Sequence, residues 1–310
     1  LLRETSELLG VQIQDMEQYL MDLAMEKKIV MKPSEQGMRI YTSHYYYMEL
    51  NTAKMLHDLN LDFEIADANL IRRINKIEKN TELYLDDMQK TAVMEAVRHG
   101  LMILTGGPGT GKTTTINAMI HFFESEGLDI YLAAPTGRAA KRMTETTGED
   151  AKTLHRLLEL AGMSDDTDNF NTNLLVTPID GDIIIVDEAS MIDMFLMNYL
   201  LKAIYKGTKL VLVGDTDQLP SVGPGSILKD IIDSKQVQTI TLNQIFRQAA
   251  KSKIIVNAHR VNEGESFISG NVKETQIDEE NIELLDDFFY INEANQEKIQ
   301  QTIVSLCKGR

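Results

Sequence analysis

The segment Gly106–Thr114, which reads GGPGTGKTT, constrains the fold of this chain more than any other feature. It matches the pattern G-x-x-x-x-G-K-[ST], in which the backbone N–H groups of a glycine-rich loop surround a chain of phosphates. LMIL before it predicts a buried strand, and TTINAMIHFFESEG after it has the apolar spacing of a helix. A strand, a glycine loop and a helix in this order predict a phosphate-binding loop. The alternative, a glycine-rich turn that matches by chance, does not explain both flanks.

The residues of this loop have distinct expected parts in binding a nucleotide. Lys112 supplies a positive charge to the outer phosphates, and Thr113 supplies a hydroxyl ligand to Mg²⁺. We therefore expect ATP and Mg²⁺ as cofactors. The predicted contacts to the nucleotide are Gly107, Pro108, Gly109, Thr110, Gly111, Lys112, Thr113 and Thr114.

Length and composition set the broad class. The 310 residues, 43% of them hydrophobic, can form two domains, or one large and one small. The single cysteine, Cys307, excludes a disulfide framework and a cysteine-based zinc site. No apolar run has membrane-spanning length and the start does not resemble a signal peptide, so we expect a cytoplasmic protein without a membrane partner. The chain begins Leu-Leu and ends Cys-Lys-Gly-Arg, which suggests a fragment of a longer protein.

The net charge of −16 gives no support for a nucleic-acid partner, because phosphate contacts normally use Lys and Arg. The acidic residues are concentrated near the end of the chain. Residues 263–310 contain 4 basic and 11 acidic residues, a balance of −7, whereas residues 101–262 contain 15 and 19, a balance of −4. A local basic groove is therefore compatible with the sequence.

Three regions are predicted. Residues 1–80 read as a mostly helical module whose two helices and small hairpin suggest a winged helix, with a generic helical adaptor as an equal alternative. Residues 81–262 alternate strands and helices, which predicts an α/β fold: a parallel sheet with helices on both faces. Residues 263–310 begin polar and acidic, then FFYIN predicts a strand and EKIQQTIVSLCK an amphipathic helix.

Two further strands end in polar residues. DIIIVDEAS delivers Asp187 and Glu188 to the carboxyl end of a buried strand, where ligands bind in open α/β sheets. Asp187 is placed to hold Mg²⁺ through water and Glu188 to polarise the attacking water; a solvated turn is the alternative. KLVLVGDTDQLPSVGPG places Gln218 where it can sense the γ-phosphate, although a Gly/Pro-rich loop with an incidental Gln would look the same.

Together these segments resemble superfamily 1 helicases. GGPGTGKTT, APTGRAA, VDEAS, GDTDQLPSVGPG and LNQIFRQ are similar to helicase motifs I, Ia, II, III and IV, in that order. GRAAKRM, TLHRLLE and LPSVGPGSIL resemble the RecD/TraA branch, superfamily 1B, and the region 40–59 is most similar to its stand-alone bacterial members. This resemblance implies a RecA-like P-loop fold and 5′-to-3′ movement on single-stranded DNA, with unwinding of a duplex that has a 5′ overhang in repair or recombination.

The resemblance also implies residue roles. Gln89 matches a glutamine that contacts the adenine edge, with an exposed helical Gln as the alternative. Phe246 and Arg247 match an aromatic residue that stacks on adenine and an arginine that reaches the γ-phosphate. Lys112, Glu188, Gln218 and Arg247 are the implied catalytic set. The implied contacts to the DNA backbone are Pro135, Thr136, Arg138, Thr153 and His155, although His155 could equally be a structural helix residue. Thr153 is expected at a helix start, and its pairing there with His155 favours a phosphate contact.

Two features qualify the resemblance. Motifs V and VI, which belong to the second motor lobe, are absent from the sequence, so residues 263–310 are expected to be only the start of that lobe. We therefore do not expect this chain alone to unwind DNA efficiently. Residues 162–178 (GMSDDTDNFNTNLLVTP) occupy the slot of a β-hairpin called the pin, which splits the duplex; a mobile polar loop is the alternative.

Other functions fit less well. The only N-K-x-D-like string, Asn75–Glu78, precedes the P-loop and ends in Glu, which argues against a GTPase. A small-molecule kinase does not explain motifs Ia, III and IV, a nuclease lacks its carboxylate cluster, and a relaxase lacks a cluster of histidines. An ATP-binding regulatory adaptor stays open as the alternative function. Protein partners, oligomeric state and pathway are not predicted.

Overall fold

A computed structural model describes residues 2–35, 37–160, 176–245, 251–268 and 287–308. Contacts divide the chain into two compact units. Unit 1 contains Leu1–Thr105 and Thr113–Thr241, and unit 2 contains Gly106–Lys112 and Leu242–Arg310. These limits differ from the domain boundaries expected at 80/81 and 262/263, which stay predictions.

Unit 1 begins with two helices and a hairpin, the order that the sequence predicts. They are α1 (Leu2–Leu9), α2 (Ile13–Met25), β1 (Ile29–Ser34) and β2 (Gly37–Thr42). The hairpin turn is tight: Ser34 pairs with Gly37, and the Ser34 hydroxyl donates to the Gly37 carbonyl at 2.7 Å. Gly37 adopts φ +114°, which favours glycine. Whether this module functions as a winged helix stays a prediction.

Three helices connect the hairpin to the sheet. They are α3 (Ser43–Leu59), α4 (Asp67–Thr81) and α5 (Asp87–Arg98). Helix α3 packs on a later helix, α9 (Met194–Ala203), through a buried hydrogen bond in which the Asn198 amide donates to the Thr52 hydroxyl at 2.9 Å. A buried polar pair must be satisfied internally, so this bond fixes the register of α3 on α9.

The central sheet has six strands in the order β5-β4-β6-β7-β3-β8. Their bounds are β3 (Leu101–Gly106), β4 (Ile130–Ala134), β5 (Ala151–Thr153), β6 (Ile183–Val186), β7 (Lys209–Gly214) and β8 (Gln238–Leu242). The pairs from β5 to β3 are parallel. Leu101–Leu104 and Ile183–Val186 are completely buried, as continuous apolar runs predict for parallel strands. The predicted α/β fold with a parallel sheet is confirmed.

Helices flank this sheet and connect its strands. They are α6 (Lys112–Ser125), α7 (Gly137–Thr147), α8 (Leu154–Leu157), α9, and α10 (Ile227–Ser234), with a short 3₁₀ turn at Ala189–Met191. Their apolar faces form the core with the strands, including Leu154, Ile192 and Leu200. Within the described ranges, no helix combines the length and apolar character needed to cross a bilayer.

Unit 2 holds the loop Gly106–Lys112 together with α11 (Lys253–Asn262) and α12 (Gln296–Lys308). The helix predicted from EKIQQTIVSLCK is confirmed as α12. The strand predicted from FFYIN is wrong, since residues 287–295 form neither helix nor strand. Its alternating aromatic residues pack on another ring instead: Phe267 lies 5.7 Å from Phe288 and 4.8 Å from Tyr290, between ring centroids.

Some predictions lie outside the described residues. The hairpin expected at 162–178 falls there except for Val176, Thr177 and Pro178, and so do Phe246 and Arg247 of motif IV. In contrast, β5 was not expected, because three residues are too short for a periodic apolar pattern.

Lys209, the first residue of β7, connects the sheet to α5 in an unusual way. Its ammonium donates to the carbonyls of Val97 (2.9 Å) and His99 (3.2 Å) at the end of α5, and lies 4.0 Å from the centroid of the Phe63 ring. Burial lowers the pKa of Lys209 to about 8.

We predict that this lysine makes stability depend on alkaline pH. Below pH 8 Lys209 is charged in both states, and the folded state bears the desolvation cost. Between pH 8 and the ordinary pKa of 10.5 the folded chain loses this proton before the unfolded chain does, so the free energy of unfolding gains from this group as pH rises. Urea titrations at pH 7.5 and 9.5 should show this gain in the wild type but not in Lys209→Met. The exposed Lys206→Met is the control; equal pH responses of wild type and Lys209→Met would contradict the prediction.

Candidate nucleotide-binding site and nucleic-acid edge

The predicted site residues of unit 1 follow the carboxyl ends of neighbouring parallel strands. Thr153 ends β5, Thr136 follows β4, Asp187 follows β6, and Gln218 follows β7. The next strand in this order, β3, continues along the chain into the P-loop. Since carboxyl ends of parallel strands share one edge, the sheet arranges the predicted DNA contacts at one end of this edge and the acidic pair near its middle.

The turn after β6 carries Asp187 and Glu188, and its backbone is strained at Glu188. The Asp187 N–H donates to the Ala133 carbonyl at 2.9 Å, which extends the β4–β6 pairing by one residue. The Glu188 N–H donates to the Asp187 carboxylate at 2.9 Å, and Glu188 itself adopts φ +54°, ψ +40°. This left-handed conformation costs a non-glycine residue about 1–2 kcal/mol. Such strain is found at functional turns, where the surrounding structure maintains it.

The end of β7 packs directly against this turn. A Cβ atom built on Gly214 would lie 2.6 Å from Leu228 Cδ2 and 3.2 Å from the Ser190 nitrogen. Glycine is therefore required for the two strand ends to approach each other. The next residue, Asp215, is buried, and its carboxylate accepts from the Asp217 N–H at 3.0 Å. Sequence reasoning missed both Gly214 and Asp215, whose signal was the Gly-Asp pair after an apolar strand.

Gln218 lies exposed on a loop that is attached at its far end. The Met194 N–H donates to the Pro224 carbonyl at 2.8 Å, and a Cβ on Gly223 would lie only 2.0 Å from the Asp193 carboxylate. That carboxylate caps α9 by accepting from the Leu196 N–H at 2.8 Å. The far end of the Gly/Pro-rich segment is thus fixed to the start of α9. Whether Gln218 senses a phosphate or is incidental stays a prediction.

In the P-loop of unit 2, two side chains donate hydrogen bonds to carbonyl groups of the loop itself. The Lys112 ammonium donates to the Gly106 carbonyl at 2.5 Å and to the Gly107 carbonyl at 3.0 Å. The buried Thr110 hydroxyl donates to the Gly107 carbonyl at 2.8 Å. Gly109 and Gly111 adopt φ of +77° and +85°, conformations that favour glycine. Sequence reasoning also missed a neighbour, His259 of α11, whose Nε2 lies 3.2 Å from the Pro108 carbonyl oxygen.

The first residues of α6 follow the loop. Thr113 and Thr114 are half-buried, and Thr115 is fully buried. The Thr113 hydroxyl and the Asp187 carboxylate, both in unit 1, are oxygen donors of the kind that Mg²⁺ prefers, so their chemistry fits the expected cation. Within the described part of the chain, no three His, Cys, Asp or Glu side chains are grouped to bind a metal.

Gln89 is completely buried, so the alternative of an exposed helical glutamine is wrong. It forms a capping box at the start of α5: its side-chain oxygen accepts from the Asp86 N–H at 3.0 Å, and the Asp86 carboxylate accepts from the Gln89 N–H at 2.8 Å. Contact with adenine stays a prediction.

The other end of the sheet edge carries the predicted DNA contacts. The Thr136 hydroxyl caps α7 by accepting from the Ala139 N–H, and the Thr153 hydroxyl caps α8 by accepting from the Arg156 N–H, both at 3.2 Å. The predicted helix start at Thr153 is confirmed. Pro135 is half-buried, whereas Arg138 and His155 are exposed on these helices, and the strands that lead to them, β4 and β5, are paired neighbours. Their contact with DNA stays a prediction.

The part of the sequence that forms this site matches a known protein family. Residues 84–284, more than half of the chain, match the family described as AAA domain (AAA_30). The chain belongs to this AAA domain family. The matched range of the AAA domain includes the P-loop, the acidic turn after β6, the loop of Gln218 and α11.

Relatives confirm the resemblance to RecD-like proteins. This chain is 43% identical over 190 residues to the ATP-dependent RecD2 DNA helicase of Deinococcus radiodurans. The match covers 61% of this chain and 26% of that protein. It is 39% identical over 168 residues to the RecBCD enzyme subunit RecD of Mycolicibacterium smegmatis, covering 47% and 30%. The chain therefore spans less than a third of either relative.

One solved structure is similar at a greater distance. The Pif1 helicase from Candida albicans is 24% identical with a TM-score of 0.42, and the match covers 59% of this chain and 45% of that one. This similarity is too low to add to the description of the fold.

We predict that the strain at Glu188 is measurable. Glu188→Gly removes the Cβ that disfavours the left-handed conformation, whereas Glu188→Gln keeps it. The glycine variant should therefore have a free energy of unfolding about 1 kcal/mol above that of the glutamine variant in urea titrations. Lys235→Gly, at a second left-handed residue after α10, is the matched control and should stabilise similarly. Equal stabilities of the two Glu188 variants would show that position 188 is unstrained.

Proposed function

We propose that this chain is the ATP-binding motor domain of a DNA helicase that moves 5′ to 3′ on single-stranded DNA. The observation that carries the proposal is the edge of the parallel sheet. One set of strand ends there supplies the acidic pair and the Gln218 loop, and the adjacent set supplies Thr136, Arg138 and His155. A domain that couples nucleotide hydrolysis to nucleic acid needs both sets on one rigid support.

Nucleotide binding is assigned to the P-loop. Lys112, whose ammonium donates to two loop carbonyls, would exchange these neutral acceptors for phosphate oxygens, which form stronger charge-assisted bonds. The backbone around Gly109 and Gly111 would supply N–H donors. Thr113 and Asp187 would hold Mg²⁺, which neutralises phosphate charge when bound. Phe246, Arg247 and Gln89 are proposed to complete the nucleotide contacts on the basis of the family resemblance.

Hydrolysis is assigned to Glu188. Its backbone conformation is left-handed, and its N–H donates to the Asp187 carboxylate, so the backbone of Glu188 and the side chain of Asp187 are held together. Glu188 would accept a proton from the attacking water, and Gln218 would report on the γ-phosphate. Water is the nucleophile, ADP and phosphate are the products, and the proton leaves through Glu188.

The proposed nucleic-acid partners are single-stranded DNA and a duplex with a 5′ overhang. Both relatives carry names that refer to DNA helicase activity or to the RecBCD enzyme, and the motif order is that of the RecD branch. A role in DNA repair or recombination and a cytoplasmic location are further parts of this proposal, and they rest on the family resemblance. The chain spans less than a third of either relative, so unwinding is proposed only for a protein of their length that includes this sequence.

An ATP-binding adaptor is the alternative function for the chain by itself. It would bind nucleotide through the same P-loop but would show no response to DNA. Stimulation of ATP hydrolysis by single-stranded DNA separates the two functions, since an adaptor has no reason to couple the two ligands.

We predict that nucleotide binding and turnover depend on different residues. Lys112→Ala should abolish binding of ADP with Mg²⁺ in titration calorimetry, because it removes the charge that faces the phosphates. Glu188→Gln keeps the shape, so it should bind normally while DNA-stimulated hydrolysis in the natural protein falls by about 10²–10⁴. Lys206→Ala, an exposed lysine, is the control for both assays. Unchanged affinity in Lys112→Ala, or parent turnover in Glu188→Gln, would refute the corresponding assignment.

We also predict a phosphate contact at Arg138. In the natural protein, Arg138→Ala should weaken binding of oligo(dT) and lower the slope of log K against log salt by about 1, because one fewer counterion is released. Lys141→Ala is the matched control. Lys141 is an exposed basic residue on the same helix, but it is not a predicted DNA contact and its ammonium lies 3.7 Å from the Glu145 carboxylate. If both variants changed the slope equally, the effect would reflect overall charge and not a contact at Arg138.

A further inference from the structure

Helix α11 is attached to its own unit at two points. At its start, the Ser252 hydroxyl and the Lys253 N–H donate to the Asp287 carboxylate at 2.6 and 2.8 Å. The hydrogen bond from Ser252 is the main reason why the pKa of Asp287 is lowered. In its middle, the buried Asn257 side chain exchanges two hydrogen bonds with the Ile268 backbone, at 3.0 and 2.7 Å. A helix held in this way presents its last turn with little freedom.

That last turn carries His259, and its imidazole lies against the P-loop. Nε2 lies 3.2 Å from the Pro108 carbonyl oxygen, which can only accept, so Nε2 must carry the hydrogen. The ring also covers Gly107: a Cβ atom built there would lie 2.7 Å from His259 Cε1 and 3.4 Å from Nε2. Gly107 does not adopt a positive φ, so the ring, and not the backbone conformation, is what excludes a side chain at this position.

The hydrogen bond between His259 and the Pro108 carbonyl fixes the orientation of a whole peptide group. The Pro108 carbonyl and the Gly109 N–H belong to the same planar trans peptide and point in opposite directions. Holding the carbonyl toward His259 therefore aims the Gly109 N–H away from α11. Gly109 has φ +77° and no Cβ, so without a partner for the carbonyl this peptide could rotate at little cost. A loop that binds phosphate through N–H groups loses affinity when one of them turns away.

We propose that His259 is a positioning residue that fixes the Pro108–Gly109 peptide, so that the Gly109 N–H faces the phosphates of the bound nucleotide. The proposal rests on the proposed nucleotide-binding function. His259 does not touch the nucleotide in this arrangement, and its effect passes through one peptide plane.

The test is a double-mutant cycle on the affinity of this chain for the fluorescent nucleotide mant-ADP. His259→Ala should weaken binding about 3- to 10-fold, the usual worth of one hydrogen bond. Gly107→Ala should weaken it similarly by pushing the ring off Pro108. The double variant should bind no more weakly than the weaker single variant, because both changes remove the same contact. Multiplying effects would show that the two positions act independently on nucleotide affinity and not through one shared contact, which would overturn the proposal.

Two further variants separate positioning from general damage. His259→Gln places an amide N–H near the position of Nε2, so it should restore affinity to within about twofold of wild type, as one retained hydrogen bond implies. His57→Ala, an exposed histidine on α3, should have no effect. If His259→Gln bound as weakly as His259→Ala, the donor would not be the important feature and the proposal would fail.

The contact can also be measured without nucleotide. In urea titrations, Gly107→Ala should destabilise the wild-type chain but not the His259→Ala chain, because the added Cβ then has space. If wild type bound no mant-ADP, the proposed function and this proposal would fall together. If wild type bound mant-ADP through Lys112 while His259→Ala bound equally well, only the positioning role would be refuted.

Discussion

Parallel pairing between β5, β4, β6, β7 and β3 is the constraint on which the rest of the site depends. Parallel strands cannot be joined by tight turns, so the chain crosses a face of the sheet to its opposite edge before the next strand begins. Each strand therefore ends at the same edge of the sheet. The strand pairing therefore brings the polar residues that follow each strand to one line. The central stretches of β3, β6 and β7 contribute buried apolar side chains and hydrogen-bonded backbone, which gives this line a rigid support.

Much of this could be predicted from sequence, because the parts that succeed are governed by local patterns. The runs LMIL and IIIV are completely apolar, and only buried parallel strands use such runs without alternation. The threonine at 153 was recognised as a helix start because a cap has a one-residue signature. The carboxylates at 187 and 188 were placed because they follow a strand whose end is unambiguous.

The predictions that failed or were missed concern interactions between distant segments. FFYIN has the composition of a strand, yet a strand also needs a partner, and these aromatic residues pack on Phe267 instead. No local pattern indicates that Gly214 must admit the backbone of residues 189–190, or that the histidine of α11 lies against the P-loop. The left-handed turn at Glu188 was equally invisible, since the residue type argues against it. The net charge did not locate the exposed basic side chains, since Arg138, His155 and Arg156 lie on α7 and α8 in a chain that is acidic as a whole.

The loop that carries Gln218 is tied down at both ends. Near β7 the Gln218 N–H donates to the Asp215 carbonyl at 3.3 Å, and at the far end Pro224 and Gly223 are seated on the start of α9. Free loops lose conformational entropy when a ligand orders them, and that loss is subtracted from affinity. Here most of the ordering occurs when the domain folds. A nucleotide that engaged Gln218 would need to restrict little beyond the rotamers of one exposed side chain, so the switch between engaged and released states could be fast and nearly balanced in free energy.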